Sequence, residues 1–304
     1  MKILRRAFLL FIGLLFTQAC DAGTLVQFHI FFGVNNYVGD VDVELYNQDK
    51  PVTVNNFLRL IEAGAYNDSF FHRLQPGFVL QGGGYFAFNP FATNVIAPPY
   101  ANLGLVGNFG SITNEFKVGK FYSNTNWTIA MAKTSDPNSA NSQFFFNLTN
   151  NASSLDNTNN IGGFTVFGHT LRGINLLNQF NGLSYGSGLF NLTNNYGVNG
   201  ALFNQLPANF AGTNPPPYDD LVYFTITILS AQVNVKTNGA RQISWEAISG
   251  MTNRVEYATN LPPTWQVLTN IYPTNAVATN VIDSTTNKTR FYRVHVLYPN
   301  TPPS

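Results

Sequence analysis

FHRLQPGFVLQGGGY, Phe71–Tyr85, sets a His–Arg pair, a Pro-Gly turn, an apolar run and a glycine triplet in consecutive positions. Only 10% of the chain is charged, against about 25% in typical soluble proteins, so an arginine between Phe71 and Leu74 needs an explanation. Arginine is rarely buried unless paired; Arg73 therefore reaches solvent, finds a partner or faces a ligand. Pro76-Gly77 marks a turn, after which Phe78, Val79 and Leu80 leave as a strand. Gln81 then places an amide beside Gly82–Gly84, glycines that admit the close approach of another backbone. Alone, the stretch is a hairpin whose arginine snorkels to water, and its surroundings must decide.

Upstream, Thr24–Phe32 and Val41–Leu45 alternate apolar and polar residues across a Gly/Asn-rich turn, the pattern of a hairpin with one buried face. Val54, Phe57, Leu58 and Ile61 recur at helical spacing between Pro51 and Gly64, which predicts an amphipathic helix over Pro51–Ala63. Downstream, Phe86–Phe121 reads as surface loops. Trp127–Lys133 and Gln143–Asn147 read as strands joined by the turn-rich Thr134–Ser142. Phe164–Gly168 is a short strand, and Ile174, Leu177 and Phe180 mark a second short helix. Asn181–Tyr218 is again loop, and Leu221–Leu229 is a strong strand. Eight or so strands with two helices predict a mainly β barrel or sandwich rather than alternating βα units.

From about Ala231 the texture changes to short strands spaced by turns, at Ile243–Ala247, Arg254–Ala258, Trp265–Leu268 and Arg290–Leu297. This predicts a small β-sandwich over residues 235–304, with Trp245 and Trp265 as core aromatics. At the other end Lys2, Arg5 and Arg6 precede the apolar Ala7–Phe16, too short to span a bilayer. Residues 1–22 therefore read as a signal peptide, and the chain as exported, to the periplasm, the cell envelope or the medium. Two processing outcomes stay open: soluble export, or lipidation at Cys20, the only cysteine.

A net charge of +1 with no basic cluster argues against nucleic acid as a partner. Forty asparagines suit a loop-rich β protein, since Asn favours turns. His29, His72, His169 and His295 lack paired ligand spacing, so no metal site is predicted. Gly82–Gly84 lacks the Lys-Ser/Thr of a phosphate loop. Asp40, Asp42 and Glu44 alternate along one strand face and read as solvated.

Three stretches in this order, FHRLQPGFVLQGGG, MAKTSDPNSANSQFFFN and FTVFGHTLRGINLL, resemble the cyclophilin-type peptidyl-prolyl cis-trans isomerases, with a loop like that of exported bacterial members. The resemblance covers residues 24–231. It implies a closed eight-stranded antiparallel β-barrel capped by two helices, followed here by the β-sandwich module, whose texture resembles fibronectin type III. It also implies isomerisation of X-Pro bonds by a monomer that needs no cofactor and acts on unfolded or Pro-containing polypeptides, with membrane contact only if Cys20 is lipidated. By position, Arg73, Phe78 and Gln81 match catalytic residues. Val79, Phe145, Leu155 and Phe164 match pocket walls, Gln143 matches a second orienting amide, and Ala132 and Lys133 match the segment along which the peptide lies.

The sequence departs from the family at three pocket positions. Val79 stands where methionine is usual, Ser154 where tryptophan is frequent, and Phe164 where histidine is. The missing tryptophan implies weak binding of cyclosporin. Insertions at Asp156–Gly163 and within Asn181–Tyr218 bear on substrate choice. A non-catalytic binder of Pro-containing segments, tethered by the C-terminal module, is the alternative function.

Overall fold

The computed structural model describes residues 23–159, 162–193, 203–229, 231–246, 252–260, 264–273, 278–285 and 289–297. Residues 1–22, read from the sequence as a signal peptide, lie outside them, Cys20 included. The elements up to residue 180 run β1 (Leu25–Phe32), β2 (Tyr37–Leu45), α1 (Pro51–Glu62), β3 (Arg73–Gln75), β4 (Val79–Gly82), β5 (Tyr85–Ala87), β6 (Leu103–Leu105), β7 (Thr128–Met131), β8 (Phe144–Asn147), α2 (Ala152–Leu155), β9 (Val166–Arg172) and α3 (Ile174–Phe180). β10 (Ser184–Tyr185), β11 (Ser187–Phe190), β12 (Leu206–Ala211) and β13 (Val222–Leu229) follow.

Eight of these strands form one antiparallel sheet in the order β13-β1-β2-β9-β7-β8-β4-β3. The sheet curls but does not close, which corrects the expected barrel: β3 and β13, its outermost strands, are not neighbours in the ladder. β3 is three residues long, and its Leu74 amide donates to the carbonyl of Gln205, just before β12 (2.6 Å). The inserted chain thus occupies the edge that closure would use. Only the residues before β3 reach across, Phe71 N–H to Val222 O (2.9 Å) and Phe224 N–H to Ser69 O (3.1 Å). The result is a half-barrel with a partly stitched seam.

Its inner face is a phenylalanine core. Period-2 alternation sends Val26, Phe28 and Ile30 of β1 and Val41, Val43 and Leu45 of β2 inward, each fully buried. Phe28 meets Phe146 and Phe144 edge-on, with ring centroids 5.2 and 5.5 Å apart, arrangements that add to simple burial. α1 contributes Val54, Phe57 and Leu60, and α3 contributes Leu176, Leu177 and Phe180, to the same cluster. α1 has no capping side chain of its own at Lys50. Glu115 does that work from 63 and 62 positions away, its carboxylate accepting the amides of Val52 (3.1 Å) and Thr53 (2.7 Å). Lys50, 1% exposed, donates its ammonium to the carbonyls of Glu115 and Val118.

Other expectations need adjustment. There are three α-helices among the described residues rather than two, because α2 supplies one turn at Leu155. Phe86–Phe121 and Asn181–Tyr218 are not wholly loop: β5 pairs with β6, and β10, β11 and β12 form a small sheet. Asp42 is not solvated; it is fully buried and bonded by Gln27 (2.7 Å) and by Arg172 (2.6 Å).

Beyond β13, β14 (Ala231–Val235), β15 (Arg241–Glu246), β16 (Thr252–Ala258), β17 (Gln266–Ile271), β18 (Ala278–Asp283) and β19 (Phe291–Leu297) build two three-stranded antiparallel sheets, ordered β14-β15-β18 and β17-β16-β19. Ile243, Trp245 and Val255 form a shared apolar cluster with Leu268, Val281 and Val294 against it. Trp245 is buried as expected, its indole N–H donating to Asn253 (3.0 Å). Trp265 is only partly buried, with the Arg293 guanidinium 4.4 Å over its ring.

Candidate active site

Residues directly opposite in a ladder point to the same face, and one such row decides where the chemistry lies. Arg73 of β3 stands opposite Gln81 of β4, Gln81 opposite Phe145 of β8, Phe145 opposite Ala130 of β7, and Ala130 opposite Val166 of β9. Because Phe144 and Phe146 belong to the inner core, this row crosses five strands on the outer face. The three phenylalanines of QFFFN are divided by the pleat, two to the core and one to the site. The same division sends Leu80 inward and Val79 and Gln81 outward.

Val79, Ala130, Phe145, Leu155 and Val166 form one buried apolar cluster, with Phe78, Ala132, Phe164, Tyr46 and Tyr122 packed against it. Six expected residues, Phe78, Val79, Ala132, Phe145, Leu155 and Phe164, therefore come together. Ala130, Val166, Tyr46 and Tyr122 are additions that sequence reading did not supply; the alternation of WTIAMAK carried the signal for Ala130. Phe145 and Phe164 meet edge-on at 5.8 Å. Phe164 is held by its amide on Leu155 O (3.0 Å) and its carbonyl on Asn124 Nδ2 (3.0 Å). Phe78 lies in the turn just before β4, and its carbonyl accepts from Leu148 N–H and Asn151 Nδ2, both at 2.9 Å.

The polar side of the row is equally built. Gln81 Nε2 donates to Gln143 Oε1 (2.8 Å), so the two amides are locked together. Gln143 also bonds the ring of His72, which is 5% exposed. Burial, then the charge of Arg73, pull the His72 pKa down to about 4, with the Gln143 hydrogen bond opposing in part. His72 is therefore neutral at physiological pH. Arg73 is partly buried, and burial lowers its pKa, though an arginine keeps its proton. Its Nη2 donates to Gln75 Oε1 (2.7 Å), a partner two residues along the same face that sequence reading missed. Ala132 and Lys133 lie past the end of β7 rather than inside a strand, but the Ala132 amide still bonds Gln143 O (2.9 Å). Lys133 stacks its ammonium 4.4 Å from the centre of the Phe164 ring.

An apolar cluster on the face that also carries a cation and two linked amides suits a reaction that breaks no bond. Residues 30–194 match the family model described as cyclophilin type peptidyl-prolyl cis-trans isomerase. The chain belongs to this family. A peptidyl-prolyl cis-trans isomerase of Acinetobacter baylyi is 33% identical over 177 residues, 58% of this chain and 82% of its own length. Isomerase B of Escherichia coli is 32% identical over 155 residues, covering 49% of this chain and 82% of its own length. A Cryptosporidium parvum cyclophilin-type isomerase, crystallised in the presence of the dipeptide Ala-Pro, aligns at 20% identity and TM-score 0.42 over 68% of this chain and 99% of its own.

This cyclophilin is thus a peptidyl-prolyl cis-trans isomerase, which sets aside the non-catalytic alternative. The barrier it lowers is the ~18–20 kcal/mol needed to rotate an amide whose nitrogen lone pair is delocalised. For X-Pro the isomers differ by only about 0.5–1 kcal/mol yet exchange over tens to hundreds of seconds. Catalysis needs only a site that binds the twisted amide better than either planar form, each 1.4 kcal/mol of preference giving about tenfold in rate.

Proposed function

We propose that the row Arg73–Gln81–Phe145–Ala130–Val166 is the catalytic row, and that it carries the reaction as follows. Phe78, Val79, Phe145, Leu155 and Phe164 hold the proline ring, with Ala132 and Lys133 alongside the peptide. Gln81 and Gln143 orient the carbonyl of the residue before proline. Arg73 donates to the prolyl nitrogen, which becomes pyramidal and a good acceptor only when the amide is twisted. A guanidinium suits this role because its charge is permanent and its donors are set in a rigid fork. The supporting observation is the cross-strand register itself, which sets the donor two strands, about 10 Å, from the ring-holding Phe145.

The test is prolyl exchange measured by NMR on a short X-Pro peptide. Arg73→Ala is expected to lower the exchange rate about 10²–10³-fold with the fold retained; undiminished exchange would remove Arg73 from the mechanism. Arg73→Lys is expected to recover little, since an ammonium lacks the planar fork.

The Lys/Arg-led apolar N-terminus supports export, with folding of exported proteins as the role. Fractionation of the full chain distinguishes the two processing outcomes: release of a membrane-bound form by Cys20→Ala indicates a lipid anchor, and a soluble wild type indicates cleavage alone. The two C-terminal sheets around Trp245 support a fibronectin type III-like sandwich acting as a tether.

A further inference from the structure

Two cationic side chains stand by the apolar cluster. Arg73 stands on the row itself, and Lys133 leans its ammonium over Phe164, 4.4 Å from the ring centre. Phe164 in turn meets Phe145 at 5.8 Å. The Lys133 charge is therefore within about 10 Å of the Phe145 ring, three residues of extended peptide at most. His72 adds no charge near neutral pH, because its pKa is about 4.

The carboxylates nearby keep their charge, and each is held in place by other groups. Asp156 is held by Ser123 and Asn124. Asp49 accepts from the Lys120 amide and from Tyr122, and Glu115 caps α1. Asp136 is the acid whose charge acts on Lys133; it is exposed and accepts the amide of Asn138 (2.9 Å) within its own turn. Lys133 has lost part of its hydration, burial lowering its pKa against the opposing charge of Asp136. A partly desolvated cation is screened less by solvent than one in bulk water.

We infer that Lys133 is a specificity-determining residue, giving the isomerase a preference for polypeptides that carry a carboxylate side chain next to the proline. The inference rests on the placement of the active site given above. The aromatic ring fixes where the ammonium sits, so the charge acts on a defined stretch of the bound chain rather than sweeping solvent. Opposite charge at such a site favours binding, and like charge opposes it.

The experiment uses the full chain and blocked pentapeptides with Glu, Gln or Lys on either side of one proline. Its readout is the Glu-to-Lys ratio of kcat/KM, which does not depend on the absolute activity of a variant. The wild type is expected to favour Glu over Lys by about three- to tenfold at low salt, chiefly through KM, with the ratio shrinking in 0.5 M NaCl, where the Debye length falls to about 4 Å. Lys133→Gln should remove most of the ratio, Lys133→Glu should invert it, and Lys133→Arg should keep it. A wild-type ratio within twofold of unity, or one unchanged in Lys133→Gln, overturns the inference while leaving the active site in place. No turnover of the Gln peptide by the wild type would instead overturn the site placement, and the inference with it.

Discussion

At the scale of single residues, the neutral imidazole of His72 couples the site to pH. Its folded pKa of about 4 lies below the ordinary value near 6.5, so the unfolded chain takes up the proton first. The stability it contributes is complete above pH 6.5 and drains away as the pH falls toward 4, about 3 kcal/mol in all. Urea unfolding followed between pH 7 and 4 should show this slope in the wild type and a shallower one in His72→Gln; equal slopes would clear His72 of the effect. Ser154 belongs to the same scale. It is exposed on α2, next to the buried Leu155, where an indole would add a wall and a donor. Cyclosporin is expected to inhibit the wild type only above micromolar concentrations and Ser154→Trp more tightly, as read by inhibition of peptide exchange. The residues of the site came from the family resemblance; a period of two adds only that, once QFFFN is a strand, Phe145 cannot share a face with Phe144 and Phe146. Gln75 and Tyr122 were not legible. Their roles come from a rotamer and from a stacking contact with Tyr46 at 3.7 Å, neither of which leaves a pattern in the chain.

Among elements, α1 depends on a residue that is not its own. Glu115→Ala leaves the amides of Val52 and Thr53 without their acceptor and takes a negative charge away from the buried Lys50, so a loss of about 2–3 kcal/mol is expected in denaturant unfolding. Glu115→Gln, which keeps one acceptor, should lose less. In the C-terminal sheets Asp283, 2% exposed, binds Arg290 (2.6 Å), Tyr292 (2.7 Å) and the Thr285 amide (3.0 Å). Burial raises its pKa, but the hydrogen bonds from Tyr292 and Thr285, together with Arg290, outweigh this and leave it depressed. The stability it contributes is therefore present at neutral pH and lost as the pH falls through its folded pKa. Asp283→Ala is expected to weaken protection of the β15 and β18 amides in hydrogen exchange while sparing β7 and β8. The helices and long strands could be read from their periodicity and Pro/Gly punctuation. β5, β6 and β10 to β12 could not, because two to six residues are too few to display a period, and Asp42 looked solvated because its partner Arg172 lies 130 positions away.

For the whole molecule, the family resemblance predicted a continuous ladder and the structure shows an open one, because the inserted chain before β12 claims the Leu74 amide. That insertion is hydrogen-bonded to the strand that carries Arg73. Deleting residues 235–304 is expected to leave peptide exchange unchanged and to alter where the protein is held, as measured by fractionation; unchanged location would remove the tether role. The outermost pairing has a further consequence, for how the protein is made. β1 lies between β2 and β13, with Leu25 opposite Leu229. On a ribosome adding about 5–20 residues per second, some 200 residues, roughly 10–40 s of synthesis, separate the two halves of that pairing. Throughout that interval an apolar strand has one bare edge, the arrangement most prone to mispairing. A chain truncated anywhere before Val222 would never cover it. This isomerase is thus expected to require shielding as a nascent chain.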